Sequence, residues 1–171
     1  MSRLNQDTKM ISIMEDDLKS KITVMINTNP DMNMRVHGVF SIDELEQKME
    51  SDLGGAIAVG VQYAGVSRVA PATGNGNPAR GNSATNILIS FSVILGVPTN
   101  DAGDERVPAT ELLTMLRFSI DGKPIGTERA QRTWEFILER PEVSASSNTM
   151  LYYAQVWQVA MQNCGSAAPA F

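Results

Sequence analysis

The chain has one cysteine, Cys164, and one histidine, His37, among 171 residues. A single cysteine excludes an internal disulfide and any thiol-rich metal cluster, and suits a reducing compartment or assembly inside a cell. A single histidine removes the commonest acid–base residue at neutral pH from all but one position, and "RVHGV" places it where a strand-edge or surface role is expected. Cys164 sits in a tail of small residues without the basic neighbour that activates a thiolate. No run of Lys or Arg occurs, and the net charge is −5, which argues against a protein that wraps nucleic acid. The start, "MSRLNQDTKM", lacks the apolar core of a secretory leader. The apolar stretches near residues 56–61 and 87–97 are too short or too interrupted to span a bilayer. A soluble protein without a membrane partner is the expectation.

Ordinary proportions remain: 43% hydrophobic and 19% charged residues, enough to bury one core in a single domain. In residues 8–26, Ile11, Met14, Leu18, Ile22 and Met25 recur at spacings of three and four, which predicts an amphipathic helix. Glu15, Asp16 and Asp17 are placed on its solvent side. "NTNPD" ends it, and "MNMRVHGVF" reads as a short extended piece. Ser41 and Glu44 match a capping box that opens a second helix. Its stripe is Ile42, Leu45, Met49 and Leu53, and Gly54 and Gly55 stop it.

Strand signals follow. "AIAVGVQYAG" sets Ile57, Val59, Val61 and Tyr63 on one face. Small residues such as Ala58 and Gly60 lie on the other, where another backbone or helix can approach closely. Ile87 to Val97 alternate in "TNILISFSVILGV", which gives a strand with one core face. Pro108 fits the first turn of a third helix carrying Leu112, Met115 and Leu116. "DGKPIG" is a turn, after which Trp134, Phe136 and Leu138 are set on one side of a strand. "MLYYAQVWQVAM" makes a long last strand. The order predicts an α+β fold, with a mostly antiparallel sheet of about four to five strands on two to three amphipathic helices. The expected domain covers residues 1–163, with an inter-strand loop at about 66–84 and a flexible tail at 164–171.

"RVAPATGNGNPARGN", residues 68–82, supplies the only glycine-rich candidate for a phosphate site. It lacks the Lys-Ser or Lys-Thr pair of a P-loop, and a strand follows it instead of a helix N-terminus. The dinucleotide fingerprint fails for the same reason. A long inter-strand loop of this kind is either functional or a disordered hairpin tip. Arg68 and Arg80 near its ends suit an arm laid on an acidic partner. The acidic stretch "NDAGDE" at 100–105 lacks the ligand pattern of a calcium loop. No residue is singled out as catalytic, metal-binding or cofactor-binding, and no cofactor is expected. The function classes left open are a structural assembly protein, a binding module or adaptor, and an enzyme whose residues are scattered.

The element order and four stretches, "MISIMEDDLKSKI", "ATNILISFSVILGV", "ATELLTMLRFSIDGKPIG" and "NTMLYYAQVWQVAM", resemble the tail-terminator proteins of tailed bacteriophages. The likeness is strongest to the minor tail proteins of Mu-like phages and extends to lambda-like terminators. It implies a homo-oligomeric ring, commonly a hexamer, that caps the tail tube. Its implied partners are the tube protein, the sheath of a contractile tail and the head–tail connector. DNA would pass through the channel without specific contact, and the protein would be assembled in the host cytoplasm and reside in the virion. Arg68, Asn75, Arg80, Ala58 and Gly60 are the subunit-interface residues this reading selects. The "SIDELEQKMES" helix and the Gly/Asn loop depart from the pattern, which leaves another neck, head-completion or adaptor protein as the alternative.

Overall fold

The computed structural model describes residues 3–29, 34–51, 57–69, 85–98, 109–126, 132–142 and 150–163. Three helices, α1 (Arg3–Asn27), α2 (Ile42–Ser51) and α3 (Ala109–Ile120), surround a five-stranded sheet. The strands are β1 (Met34–Gly38), β2 (Ile57–Val69), β3 (Thr85–Pro98), β4 (Glu135–Glu142) and β5 (Met150–Asn163), in the spatial order β1-β2-β3-β5-β4. The fold is α+β, as the element order predicts. Every pair is antiparallel except β1 with β2. Parallel neighbours need a crossover, and α2 lies in the connection between them.

Strand alternation divides the core between the two faces of the sheet. Val59, Val61, Ile89, Phe91, Val93, Leu95, Trp157 and Val159 bury one face. They pack against Met14, Leu18, Ile22 and Met25 of α1 and Leu112, Leu113, Leu116 and Ile120 of α3. Each such side chain contributes about 1.5–3 kcal/mol on burial. Phe91 joins two edge-to-face aromatic pairs, with Tyr63 at 5.6 Å and Trp134 at 5.7 Å between centroids, and Phe136 meets Trp157 at 5.3 Å. The opposite face carries a smaller cluster of Val39, Leu45, Ala58, Ile94, Tyr152 and Ala154, to which α2 contributes Leu45 and, partly buried, Ile42.

Several local expectations change. The capping box is half formed. Ser41 Oγ accepts the Glu44 N–H at 3.2 Å, but the Glu44 carboxylate accepts the Phe40 N–H at 2.7 Å, one residue further back. Its other oxygen is held by Lys48 Nζ at 2.9 Å. Residues 66–69, expected in the loop, continue β2 in register with β3 as far as Val69↔Asn86. On β4 the register shifts between Phe136 and Leu138, so Ile137 is an extra residue and the alternation flips there. Phe136 stays opposite Trp157 on the face covered by α1 and α3, whereas Leu138 pairs with Val156 on the other, so the two do not share a side. Asp17 is not on the solvent side of α1, because its carboxylate is drawn inward by donors described below. Gly54, Gly55, Pro108 and the acidic stretch at 100–105 lie outside the described residues, as do the side chains of Met49 and Leu53.

The Phe40 N–H, and then the Lys48 ammonium, hold the Glu44 carboxyl below its ordinary value of 4.5. A depressed carboxyl stabilises the fold above its unfolded value, and that contribution fades as pH falls through the folded value. Replacing Glu44 by Gln should therefore lower the melting temperature near neutral pH. The gap between the two proteins should close as the medium is acidified below about pH 4, in the range of unperturbed carboxyls. A gap unchanged down to pH 3 would show that the carboxylate does not hold the start of α2.

Candidate functional site

The residues selected from sequence fall in three different settings. Ala58 and Gly60 are buried on the face of β2 that α2 covers. A Cβ on Gly60 would come within 2.8 Å of Val39 Cγ2 and 3.2 Å of Leu45 Cδ2. The close approach expected for this small-residue face is made by the chain's own α2 segment, which leaves neither residue open to a neighbour. Arg68 belongs to β2, where it pairs with Ile87 on β3. Asn75, Arg80 and Cys164 lie outside the described residues. His37 pairs with Gly60 in the parallel β1–β2 ladder.

The most connected polar group is one the sequence reading misplaced. The Asp17 side chain is only 10% exposed and lies beside Lys21 Nζ at 2.6 Å. Its Oδ2 also accepts the indole N–H of Trp134 at 2.8 Å, and its Oδ1 accepts the Gly126 N–H at 2.9 Å. Gly126 adopts a positive φ of 73°, which glycine adopts without steric cost, and this allows its N–H to face the helix. Around it the chain after α3 folds back on itself. Gly122 N–H donates to the Trp134 carbonyl, Trp134 N–H to the Lys123 carbonyl, and Ile125 N–H to the Arg132 carbonyl. Gln155 makes a second latch: it is fully buried, and its amide nitrogen reaches the Leu113 carbonyl and Glu139 Oε2, both at 2.8 Å. These bonds join elements to one another: the Asp17 carboxylate and the Gln155 amide nitrogen are spent on internal partners, while the buried Gln155 Oε1 has no hydrogen-bond partner among the described residues.

Concave surfaces flank this framework. A groove of about 580 Å³ runs between α1 and the end of α3, bounded by Val24, Met25, Met115 and Phe118, with Lys21 and Lys123 at its polar side. Phe118 is 77% exposed there. A smaller hollow of about 400 Å³ lies beside Phe40, which is 91% exposed, and Tyr63. A hydrophobic residue before an N-cap commonly staples to the helix's first turn. Phe40 occupies that position without packing there, so its exposure was not legible. Phe118 carries a weaker signal, since it stands off the Leu112/Leu116 stripe of α3. Among the described residues, no three of His, Cys, Asp and Glu converge as metal ligands do.

The third feature is the far end of the sheet. β2 from Val66 to Val69, β3 from Thr85 to Ile89 and β5 from Val159 to Asn163 continue as a three-stranded tongue beyond the reach of both flanking strands. β1 pairs only as far as Gly38↔Val61, and β4 only as far as Glu135↔Gln158. The glycine-rich segment at 70–84 leaves and re-enters the domain at the tip of this tongue.

Comparison of the sequence with protein-family models yields no match, and comparison with curated proteins yields none either.

Replacing Asp17 by Ala strands the Trp134 indole N–H and the Lys21 ammonium at a mostly buried site. Breaking one partner of such a group costs about 3 kcal/mol. Urea unfolding should report a loss of that size, with Trp134 emission shifting to the red in the native baseline. A loss within about 0.5 kcal/mol, the range of an ordinary surface substitution, would mean that the carboxylate does not pin the turn.

Proposed function

We propose that the chain is a structural protein of a tailed bacteriophage, a ring-forming tail terminator that caps the tail tube and joins it to the head–tail connector. The observation supporting this reading is the tongue of β2, β3 and β5 with the Gly/Asn-rich segment 70–84 rooted at its tip. A closed ring needs heterologous contacts, in which one patch meets a different patch on the next subunit. A projecting sheet end and a long polar connection supply patches of that kind. The most connected polar group of the described residues, the Asp17 carboxylate, is taken up by internal donors that tie elements together.

A second reading, a monomeric adaptor of the same assembly, draws support from the α1/α3 groove and its exposed Phe118. Deleting residues 70–82 separates the two. A ring subunit should lose its oligomer, whereas an adaptor should keep its size and lose only its partner.

The direct test is electron microscopy of the purified chain with tail tubes. The expected result is a closed ring at one tube end and tubes that no longer elongate. A chain that stays monomeric in the presence of tubes overturns the proposal. Replacing Arg68 and Arg80 together by Ala should weaken ring assembly and reduce its sensitivity to salt, because surface charge contacts are screened. An unchanged ring would remove these arginines from the interface.

A further inference from the structure

Edge strands expose a row of unpaired N–H and C=O groups, and folded proteins shield them with bulges, prolines, charges or very short strands. The β4 edge of this sheet is shielded in that way. It carries the extra residue Ile137, Pro141 and the charges Glu135, Glu139, Arg140 and Glu142, with Arg140 Nε paired to Glu142 at 2.7 Å. The tongue is shielded far less. Among the described residues, no strand lies outside β2 beyond Val61 or outside β5 beyond Gln158. Both open edges lie at the same end of the sheet, and β2 and β5, each antiparallel to β3, run in the same direction.

The directions of the open groups follow from the register. Val39 N–H donates to the Val61 carbonyl, so Val61 bonds outward from β2. Residues on the same face of a strand bond to the same side. Carried through the bulge at Ala64 by the pair Val66↔Ile89, this turns the backbone groups of Val66 and Arg68 outward. The corresponding β3 residues, Ile89 and Phe91, bond towards β5, so their partners Val159 and Trp157 bond back and Ala160 bonds outward. Side chains sharpen the match. Val66 shares with Ile89 the face covered by α1 and α3 yet is 52% exposed, and among the described residues no strand lies beyond it. β5 offers a residue to cover it, since Met161 is only part-buried on that same face, next to the fully buried Val159.

We propose that the β2 edge at residues 66–69 pairs, in parallel, with the β5 edge at residues 159–163 of a second copy of this chain. The contact is heterologous. Each copy gives one edge and receives on the other, so the sheet continues from subunit to subunit until rotation closes it. Val66 then lies beside Met161 of the neighbour, and the outward amides of Val66 and Arg68 gain ladder partners. The pairing supplies the subunit contact of the ring described under the proposed function and rests on that reading.

Two prolines test it, each removing an outward N–H that bonds to no strand among the described residues: Val66→Pro on β2 and Ala160→Pro on β5. By light scattering the parent chain should form an oligomer larger than a dimer, and each variant alone should fall to monomer. An equimolar mixture should form a heterodimer, because Val66→Pro retains a working β5 edge and Ala160→Pro a working β2 edge. That heterodimer also demonstrates that both variants fold. Amide hydrogen exchange on the parent gives an independent measurement: the Val66, Arg68 and Ala160 amides should be protected in the oligomer and not in the diluted monomer. Variants that keep the parent's oligomer size, or unprotected amides in that oligomer, overturn the edge pairing while leaving a ring intact. Self-association of Ala160→Pro with loss for Val66→Pro also overturns it, because an isologous β2–β2 contact would then be in use. A parent that remains monomeric even with tail tubes removes the ring reading itself.

Discussion

The Asp17 carboxylate is the tie on which the arrangement of the two-helix layer depends. It stands near the middle of α1, on the face turned towards the connection from α3 to β4, and takes hydrogen bonds from Lys21, Trp134 and Gly126. Trp134 is a large, fully buried side chain in edge contact with Phe91 at the centre of the sheet. The same carboxylate therefore ties together the rotation of α1, the position of the turn and the orientation of one of the two core indoles. Apolar packing between α1 and α3 is non-directional and would tolerate sliding. The three donors meeting Asp17 set the register that the packing alone leaves free.

The periodic parts of the fold were legible in the sequence because periodicity reports burial directly. The α1 stripe, the alternation of β3 and the small-residue face of β2 all describe side chains that this structure buries as the spacing implies. The parts that were not legible depend on a single residue or on distant partners. The flip at Ile137 is one inserted residue in a strand, and it turns Leu138 to the opposite face without altering the local pattern of apolar residues. Asp17 reads as one more acid in "EDD", since nothing local announces that Trp134 and Gly126 will reach it from more than a hundred residues away.

The candidate interface divides along the same line. Ala58 and Gly60 were correctly recognised as a place of close approach, but periodicity gives no information about which chain approaches. The structure assigns that role to Val39 and Leu45 of the same molecule. The open edges of β2 and β5 were illegible for a different reason. They arise from a mismatch in length between long central strands and short flanking ones, a property of the sheet order. Only when β5 is known to lie between β3 and β4 does the end of β5 become an edge at all.

That position of β5 also bears on synthesis. It is the last of the five strands to leave the ribosome, yet it is inserted between two made earlier, and among the described residues β4 has no other strand to pair with. Until it arrives, β3 presents its apolar "ILISFSVILGV" row with one whole side unpaired, and contacts formed across so much sequence are slow to close. Nascent chains with exposed strand edges are prone to aggregate. The interval between completing β3 and releasing β5 leaves that edge open to other chains for longer than any other edge that later pairs within the sheet.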